Sequence, residues 1–180
     1  YEEVLKKIIE KRKIKFSFFQ KLVEIDGENK KAKFVGIGEN NKDVETWVDY
    51  EMIHVTPPQS APDFVKTSPI ANAAGWVDVD KYTLQHVKYP NIFSLGDASS
   101  LPTSRTGAAV RKQAPILVKN LFSLMQGKTL EAKYNGYTSC PVVTGYGKLV
   151  LAEFDYNNTP MELRRGLYLT DTHYYRNELN

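Results

Sequence analysis

Val4, Leu5, Ile8 and Ile9 recur at helical spacing with charged residues between them, which predicts a short amphipathic helix with a solvated basic face. Lys11-Arg12-Lys13 closes the run, and cations suit the negative end of a helix dipole. From Ile14 the period changes to two. Ile14, Phe16 and Phe18 alternate with Lys15 and Ser17, and residues 22–25 continue as a second β run. Asp26-Gly27-Glu28-Asn29 is a hairpin turn, its Gly supplying the conformational freedom such turns need. Residues 33–37, 44–48 and 51–55 read as further strands of an antiparallel meander. Thr56-Pro57-Pro58 and the residues to Pro62 end it, because adjacent prolines fix φ and remove backbone donors. On pattern alone this stretch is either a plain linker or a fixed crossover between domains.

The second part of the chain is less periodic. Residues 75–80 read as a short β segment, and residues 91–95 as a compact apolar strand ending on Gly96-Asp97. A helix is predicted to begin near Thr106, since Val110, Ala114, Leu117, Leu121 and Leu124 repeat at four-three spacing. Pro115 is a candidate kink and Gly127 a C-terminal stop. Residues 149–154 form another predicted strand, followed by a polar tail with Arg164, Arg165, Tyr168, Tyr174, Tyr175 and Arg176. No internal repeat is apparent.

Composition adds bounds rather than identity. Of 180 residues 42% are apolar and 12% aromatic, which is ordinary for a folded protein. The net charge is only +3. The excess gathers in residues 6–15 without interleaved aromatics or a binding-module motif, so no nucleic-acid partner is expected. The longest nearly apolar stretch, residues 114–125, contains Lys119 and Asn120 and is too short to span a bilayer. A single cysteine excludes an internal disulfide scaffold. The chain opens on Tyr1-Glu2-Glu3, and it reads as a soluble piece of a longer protein.

Few motifs carry chemistry. Gly36-Ile37-Gly38-Glu39-Asn40-Asn41 starts like a dinucleotide fingerprint but lacks the third Gly and falls in hairpin surroundings. His54, His86 and His173 lack metal-ligand spacing, so no metal site is expected. Gly96-Asp97 is more informative: Gly lets backbone approach a ligand, and Asp accepts from sugar or ribityl hydroxyls. The following helix, opening on Thr106-Gly107-Ala108-Ala109, presents unpaired N–H groups to an anionic or carbonyl oxygen. Gly-Asp is also a common turn dipeptide, and small residues serve tight helix packing equally well. Cys140 is either a small buried hydrophobe or a nucleophile. Its Pro141 neighbour and the Gly- and Tyr-rich surroundings predict an ordered loop, where reactive residues tend to sit.

Taken together and in order, several segments resemble the C-terminal half of sulfide:quinone oxidoreductases, flavoproteins of the pyridine-nucleotide disulfide reductase superfamily. They run from Ile53-His54-Val55-Thr56-Pro57-Pro58 through Gly75-Trp76-Val77-Asp78-Val79-Asp80 and Asn91-Ile92-Phe93-Ser94-Leu95-Gly96-Asp97 to Leu101-Pro102-Thr103-Ser104-Arg105-Thr106-Gly107. They end with Tyr137-Thr138-Ser139-Cys140-Pro141 and Leu151-Ala152-Glu153-Phe154-Asp155-Tyr156. The resemblance implies an α/β fold of the FAD/NAD(P)-binding type, three-layered ββα, with an antiparallel meander and a C-terminal β-containing region. It divides the chain into residues 1–55, the latter part of a nucleotide-binding-like domain; 56–130, the returning FAD-domain segment; and 131–180, a truncated redox-cysteine region.

By the same resemblance Gly96, Asp97, Arg105, Thr106 and Gly107 contact FAD, and Pro57 marks the crossover back to the FAD domain. Cys140 is one of two redox cysteines taking electrons from sulfide to FAD and on to a membrane quinone. Tyr137, Tyr146 and the loop after Cys140 are candidates for the quinone site. The departures are Arg105, where family members commonly carry Lys, and the absence of a Gly-x-Gly-x-x-Gly unit and of a second cysteine. The tail after Met161 also lacks the family's membrane-dipping helices. The expectation is a parent peripheral on a membrane, with oligomer formation open, and an isolated fragment that is inactive and does not retain FAD. The rivals are a flavin-dependent NADH:quinone dehydrogenase, which has no need of Cys140, and a non-catalytic module that kept the fold.

Overall fold

The structure, a computed structural model, describes residues 1–37, 43–161 and 170–171. Its helices and antiparallel sheets form two compact units, Glu2–Pro58 and Tyr1 with Gln59–Asn180.

In the first unit the helical pattern gives α1, Glu2–Lys11, with Glu2 and Glu3 in its first turn and Lys11 in its last, the arrangement the helix dipole favours. Lys6 pairs with Glu2 one turn back at 2.6 Å. The alternating pattern gives β1 (Gln20–Asp26), β2 (Lys31–Ile37) and β3 (Asp43–Asp49), an antiparallel meander in the order β1-β2-β3. Asp26 closes the β1–β2 turn by accepting the Asn29 amide at 3.0 Å, and Ile25 pairs with Ala32 directly after it. Gly36, the start of the false fingerprint, pairs with Gln20 and Val44 inside this antiparallel ladder; residues 38–42 lie outside the described residues.

Two expected strands are absent. Residues 14–18 do not pair, because left-handed backbone at Lys13 (φ 53°) and Phe19 (φ 55°) turns the chain at both ends of the run. Phe16 and Phe18 instead pack edge to face on each other at 4.6 Å. Residues 51–55 do not pair because β2 has run out. Asp49 already faces Lys31, the first residue of β2, and the last rung joins the Tyr50 amide to the Lys30 carbonyl.

The second unit builds its core differently. After α2, Asp63–Lys66, residues 71–99 form no sheet and are held by isolated bridges, Ala71 to Val77, Val77 to Ser99, Val79 to His86 and Gln85 to Phe93. The expected strands at 75–80 and 91–95 shrink to these single contacts, since side chains such as Gln85, which donates to the Pro90 carbonyl at 2.8 Å, take up the backbone groups. Leu84, Val77, Val79, Leu101, Tyr134 and Tyr137 are buried there as one cluster. The long helix appears as expected: α3, Gly107–Met125, is capped by Thr106, contains Pro115 and is ended by Gly127 at φ 67°. Beyond it β4 (Thr138–Gly145), β5 (Lys148–Phe154) and β6 (Thr170–Asp171) form a second antiparallel sheet in the order β4-β5-β6. The tail residues Arg164, Arg165, Tyr168, Tyr174, Tyr175 and Arg176 lie outside the described residues.

α3 holds this unit together through polar groups on its buried side. Asn120, completely buried, donates to the carbonyls of Thr83 and Ala132 and accepts the Ala132 amide, at 2.9 to 3.1 Å. One amide thereby fixes two loops that lack any sheet of their own.

Candidate functional site

The N-terminus of α3 is the point where the sequence-predicted residues meet. A helix start leaves its first amides without intrahelical acceptors; the Thr106 side chain accepts that of Ala109 at 3.1 Å, and those of Gly107 and Ala108 remain available. Gly107 is exposed, and a Cβ there would meet nothing within 4 Å, so the helix starts beside open space.

Thr106 also reaches across to β4. Its hydroxyl lies 3.0 Å from that of Thr138, which lies 3.1 Å from the Ser104 carbonyl. A carbonyl cannot donate, so the Thr138 proton points to Ser104 and the Thr106 proton must point to Thr138. The resulting line runs one way: Ala109 N–H to Thr106 O–H to Thr138 O–H to Ser104 C=O. It ties the helix cap to the strand that carries Cys140 two residues on, and it leaves Thr106 no proton for a ligand. Thr106 therefore supports the helix end rather than donating from it.

Gly96 and Asp97 sit in a single 3-10 turn, Gly96–Ala98. Gly96 has φ 62°, where L side chains are strained, and a Cβ there would come 3.1 Å from Val110 of α3. Its amide donates to Gln113 Oε1 at 2.8 Å. Asp97 is exposed, with no hydrogen-bond or ionic partner among the described residues. Arg105 lies flat over the Trp76 ring, its guanidinium carbon 3.8 Å from the centroid, and donates to the Ser99 carbonyl at 3.4 Å. Such stacking uses the planar guanidinium and is not available to a lysine in the same form.

Cys140 is exposed, but it stands in a strand, not in the expected loop. It pairs with Ala152 of β5, and Pro141 after it pairs with Leu151. The Gly- and Tyr-rich stretch that suggested a loop is instead the β4–β5 turn, with Tyr146 fully exposed at its tip. Tyr137 is not open to a ligand: it is buried, and its hydroxyl donates to Glu153 Oε1 at 2.5 Å. Burial first, and then this bond to a carboxylate, push its phenol up to about 12. Pro57 lies at the end of the first unit.

Sequence reasoning missed Thr138, Gln113, Tyr134 and Glu153. Gln113 and Asn120 could have been found, being polar residues seven apart on the apolar side of a helix. Of the histidines, His86 is buried with both ring nitrogens engaged, Nε2 facing the Ile70 carbonyl at 3.0 Å and Nδ1 accepting the amides of Lys88 and Tyr89. His54 is exposed and His173 lies outside the described residues. No cluster of metal-ligating side chains occurs among the described residues, and no helix among them is long and apolar enough to cross a membrane.

Among proteins of known function, the chain is 49% identical over 163 residues to the mitochondrial sulfide:quinone oxidoreductase of Mus musculus. It is 52% identical over 157 residues to that of Dictyostelium discoideum and 44% over 151 residues to that of Schizosaccharomyces pombe. The chain is similar to one part of the sulfide:quinone oxidoreductases. These matches cover 90%, 87% and 84% of the chain but 36%, 34% and 32% of the relatives, so it spans about a third of their length. Both Thr138-Ser139-Cys140-Pro141 and the α3 cap fall in the sulfide:quinone oxidoreductase-like part. A scan against protein-family models matches none. Among solved structures, a chain in the cryo-EM structure of the Tetrahymena thermophila mitochondrial ATP synthase, the F1Fo composite tetramer, superimposes with a TM-score of 0.71. It is 31% identical, and the match covers 91% of this chain and 39% of that one.

Proposed function

We propose that this chain is the cofactor-facing and thiol-bearing part of a flavoprotein that oxidises sulfide and reduces a quinone. The observation that carries the reading is the Thr106–Thr138 link, which ties the open end of α3 to the Cys140 strand. The residues fit FAD. Gly96 admits close approach, Asp97 offers an unpaired carboxylate to ribityl hydroxyls, and the Gly107 and Ala108 amides start the helix beside open space, suited to the electron-rich edge of an isoalloxazine ring. Arg105, held on Trp76, adds a fixed positive charge. Bound FAD supplies the two-electron acceptor that passes electrons on to quinone.

Cys140 requires a partner, since this chain has one cysteine. Hydrosulfide attacks the disulfide joining Cys140 to a second cysteine outside this chain; that S–S bond breaks, a new one forms to the incoming sulfur, and the other cysteine leaves as thiolate. The persulfide keeps the sulfur oxidised by two electrons until an acceptor removes it. Strand pairing holds Cys140 in place for this exchange, while its exposure admits sulfide. Of Tyr137 and Tyr146, only Tyr146 is exposed to a quinone. The relatives' mitochondrial names support a mitochondrial parent; the reading also makes that parent peripheral on a membrane and the 180-residue stretch alone inactive.

Anaerobic sulfide added to the FAD-loaded parent bleaches the flavin, and decylubiquinone restores it. Cys140→Ser abolishes the sulfide step, whereas a dehydrogenase bleached by NADH alone would be indifferent to the substitution. The ATP synthase chain of the same fold favours one other reading, an assembly module that keeps the fold without turnover. A purified parent without flavin would point there.

A further inference from the structure

Two segments of the second unit lie side by side with no backbone–backbone hydrogen bond between them: the loop of residues 101–106 and the entry to β4, residues 136–138. Side chains join them instead. The Thr103 hydroxyl donates to the Gly136 carbonyl at 3.1 Å. The Thr138 hydroxyl donates back to the Ser104 carbonyl at 3.1 Å and accepts from Thr106 at 3.0 Å. The contacts advance in step, 103 with 136, then 104 and 106 with 138, so the segments run parallel and threonine hydroxyls stand in for a strand ladder. Thr138 is only 5% exposed. Valine has the same shape and suits a strand as well, so packing does not account for a buried hydroxyl here; its partners do.

Arg105 stands among the stitched residues and is itself held softly. Its Nε is buried without a hydrogen-bond partner, its bond to the Ser99 carbonyl is long at 3.4 Å, and the rest of its hold is the stack on Trp76. The residues on either side therefore decide where its charge stands. We propose that Thr103 and Thr138 are positioning residues, whose hydroxyls lock the Arg105 loop to the Cys140 strand so that the fixed charge and the thiol keep one spacing. Neither hydroxyl can serve a ligand as well, since each spends its single proton on a carbonyl. The proposal rests on the reading of Arg105 as a flavin contact and Cys140 as the redox thiol.

The test uses the full 180-residue chain and two measurements that need no flavin. Acrylamide quenching of Trp76 reports the loop end, in a Trp47→Phe background that leaves Trp76 the sole tryptophan. The rate at which iodoacetamide labels Cys140, the only thiol, reports the strand end. Thr138→Val removes the hydroxyl and keeps the shape; Trp76 quenching and Cys140 labelling both rise about threefold, the scale of one lost hydrogen bond. Thr138→Ser restores both. Thr103→Val moves both in the same sense by a smaller factor. Hydrogen exchange of the Ala132 amide, held by Asn120 at 3.1 Å, is the control for general loosening and stays slow throughout. The idea is overturned if Thr138→Val moves only one readout or neither, if Thr138→Ser fails to restore them, or if Ala132 exchange rises in parallel. Should Thr138→Val not fold, Thr103→Val decides, and its silence in either readout overturns the idea as well. In the FAD-loaded parent, Thr138→Val slows flavin bleaching by sulfide about tenfold, as a misplaced reacting group would, and Thr138→Ser recovers it. A wild-type parent that takes up no FAD would sink the flavin reading, while the Trp76 and thiol patterns still judge the threonine stitches.

Discussion

The two units of this chain make opposite use of apolar residues. In Glu2–Pro58 the pattern is regular and the elements follow it, yet Phe16, Phe18, Phe19, Val44, Trp47 and Val48 are all exposed and α1 buries no residue. In residues 71–99 of the second unit the pattern is irregular, strands give way to single bridges, and here lies Leu84 with no exposure at all. Periodicity therefore reports how the backbone pairs, not where a core forms. Where the backbone cannot pair with itself, buried amides such as Asn120 and Gln113 complete the structure.

The largest test of this contrast is a pair of truncations followed by urea unfolding. Leu84→Ala should cost about 2–5 kcal/mol, as full burial of the side chain dictates, whereas Phe18→Ala, at 67% exposure, should stay within about 0.5 kcal/mol. Equal losses would erase the distinction between the units. A smaller effect sharpens the role of polar stitching: Asn120→Leu keeps the bulk but orphans the Ala132 amide and two carbonyls, for a loss of about 1–3 kcal/mol by the same measurement. If it proved neutral, α3 would hold its loops by apolar contact alone.

The smallest effect is a pH dependence confined to the second unit. Tyr137 is raised in the folded state from 10.0 to about 12, so folded protein binds the phenolic proton more tightly than unfolded chain. Its contribution is complete below pH 10 and is lost as the pH rises toward about 12. Tyr156, also raised by burial first, acts in the same sense. Stability measured across that range should fall, and Tyr137→Phe should make the fall shallower. A slope unchanged by that substitution would remove Tyr137 from the account.

What the sequence disclosed follows from the range of the forces involved. The β1–β2 turn and the capped start of α3 are local, set by Asp26 and Thr106 within three residues, and both were legible. The failure at residues 51–55 depends on where β2 begins, and the failure at 14–18 on left-handed backbone at Lys13 and Phe19, neither of which leaves a mark in residue type. In the candidate site, Gly96, Asp97 and Cys140 stood out through resemblance. The residues joining them did not, because Thr138 to Thr106 spans 32 positions and Gly96 to Gln113 spans 17. Cys140 was expected in a loop because Pro141 suggested one; on the outermost strand of its sheet a proline is tolerated.

That proline has a further consequence. Among the described residues β4 is an edge, and an exposed edge invites any passing extended chain to zip onto it. Pro141, next to the exposed Cys140, has no N–H to offer such a guest. The residue beside the thiol thus limits pairing along this edge.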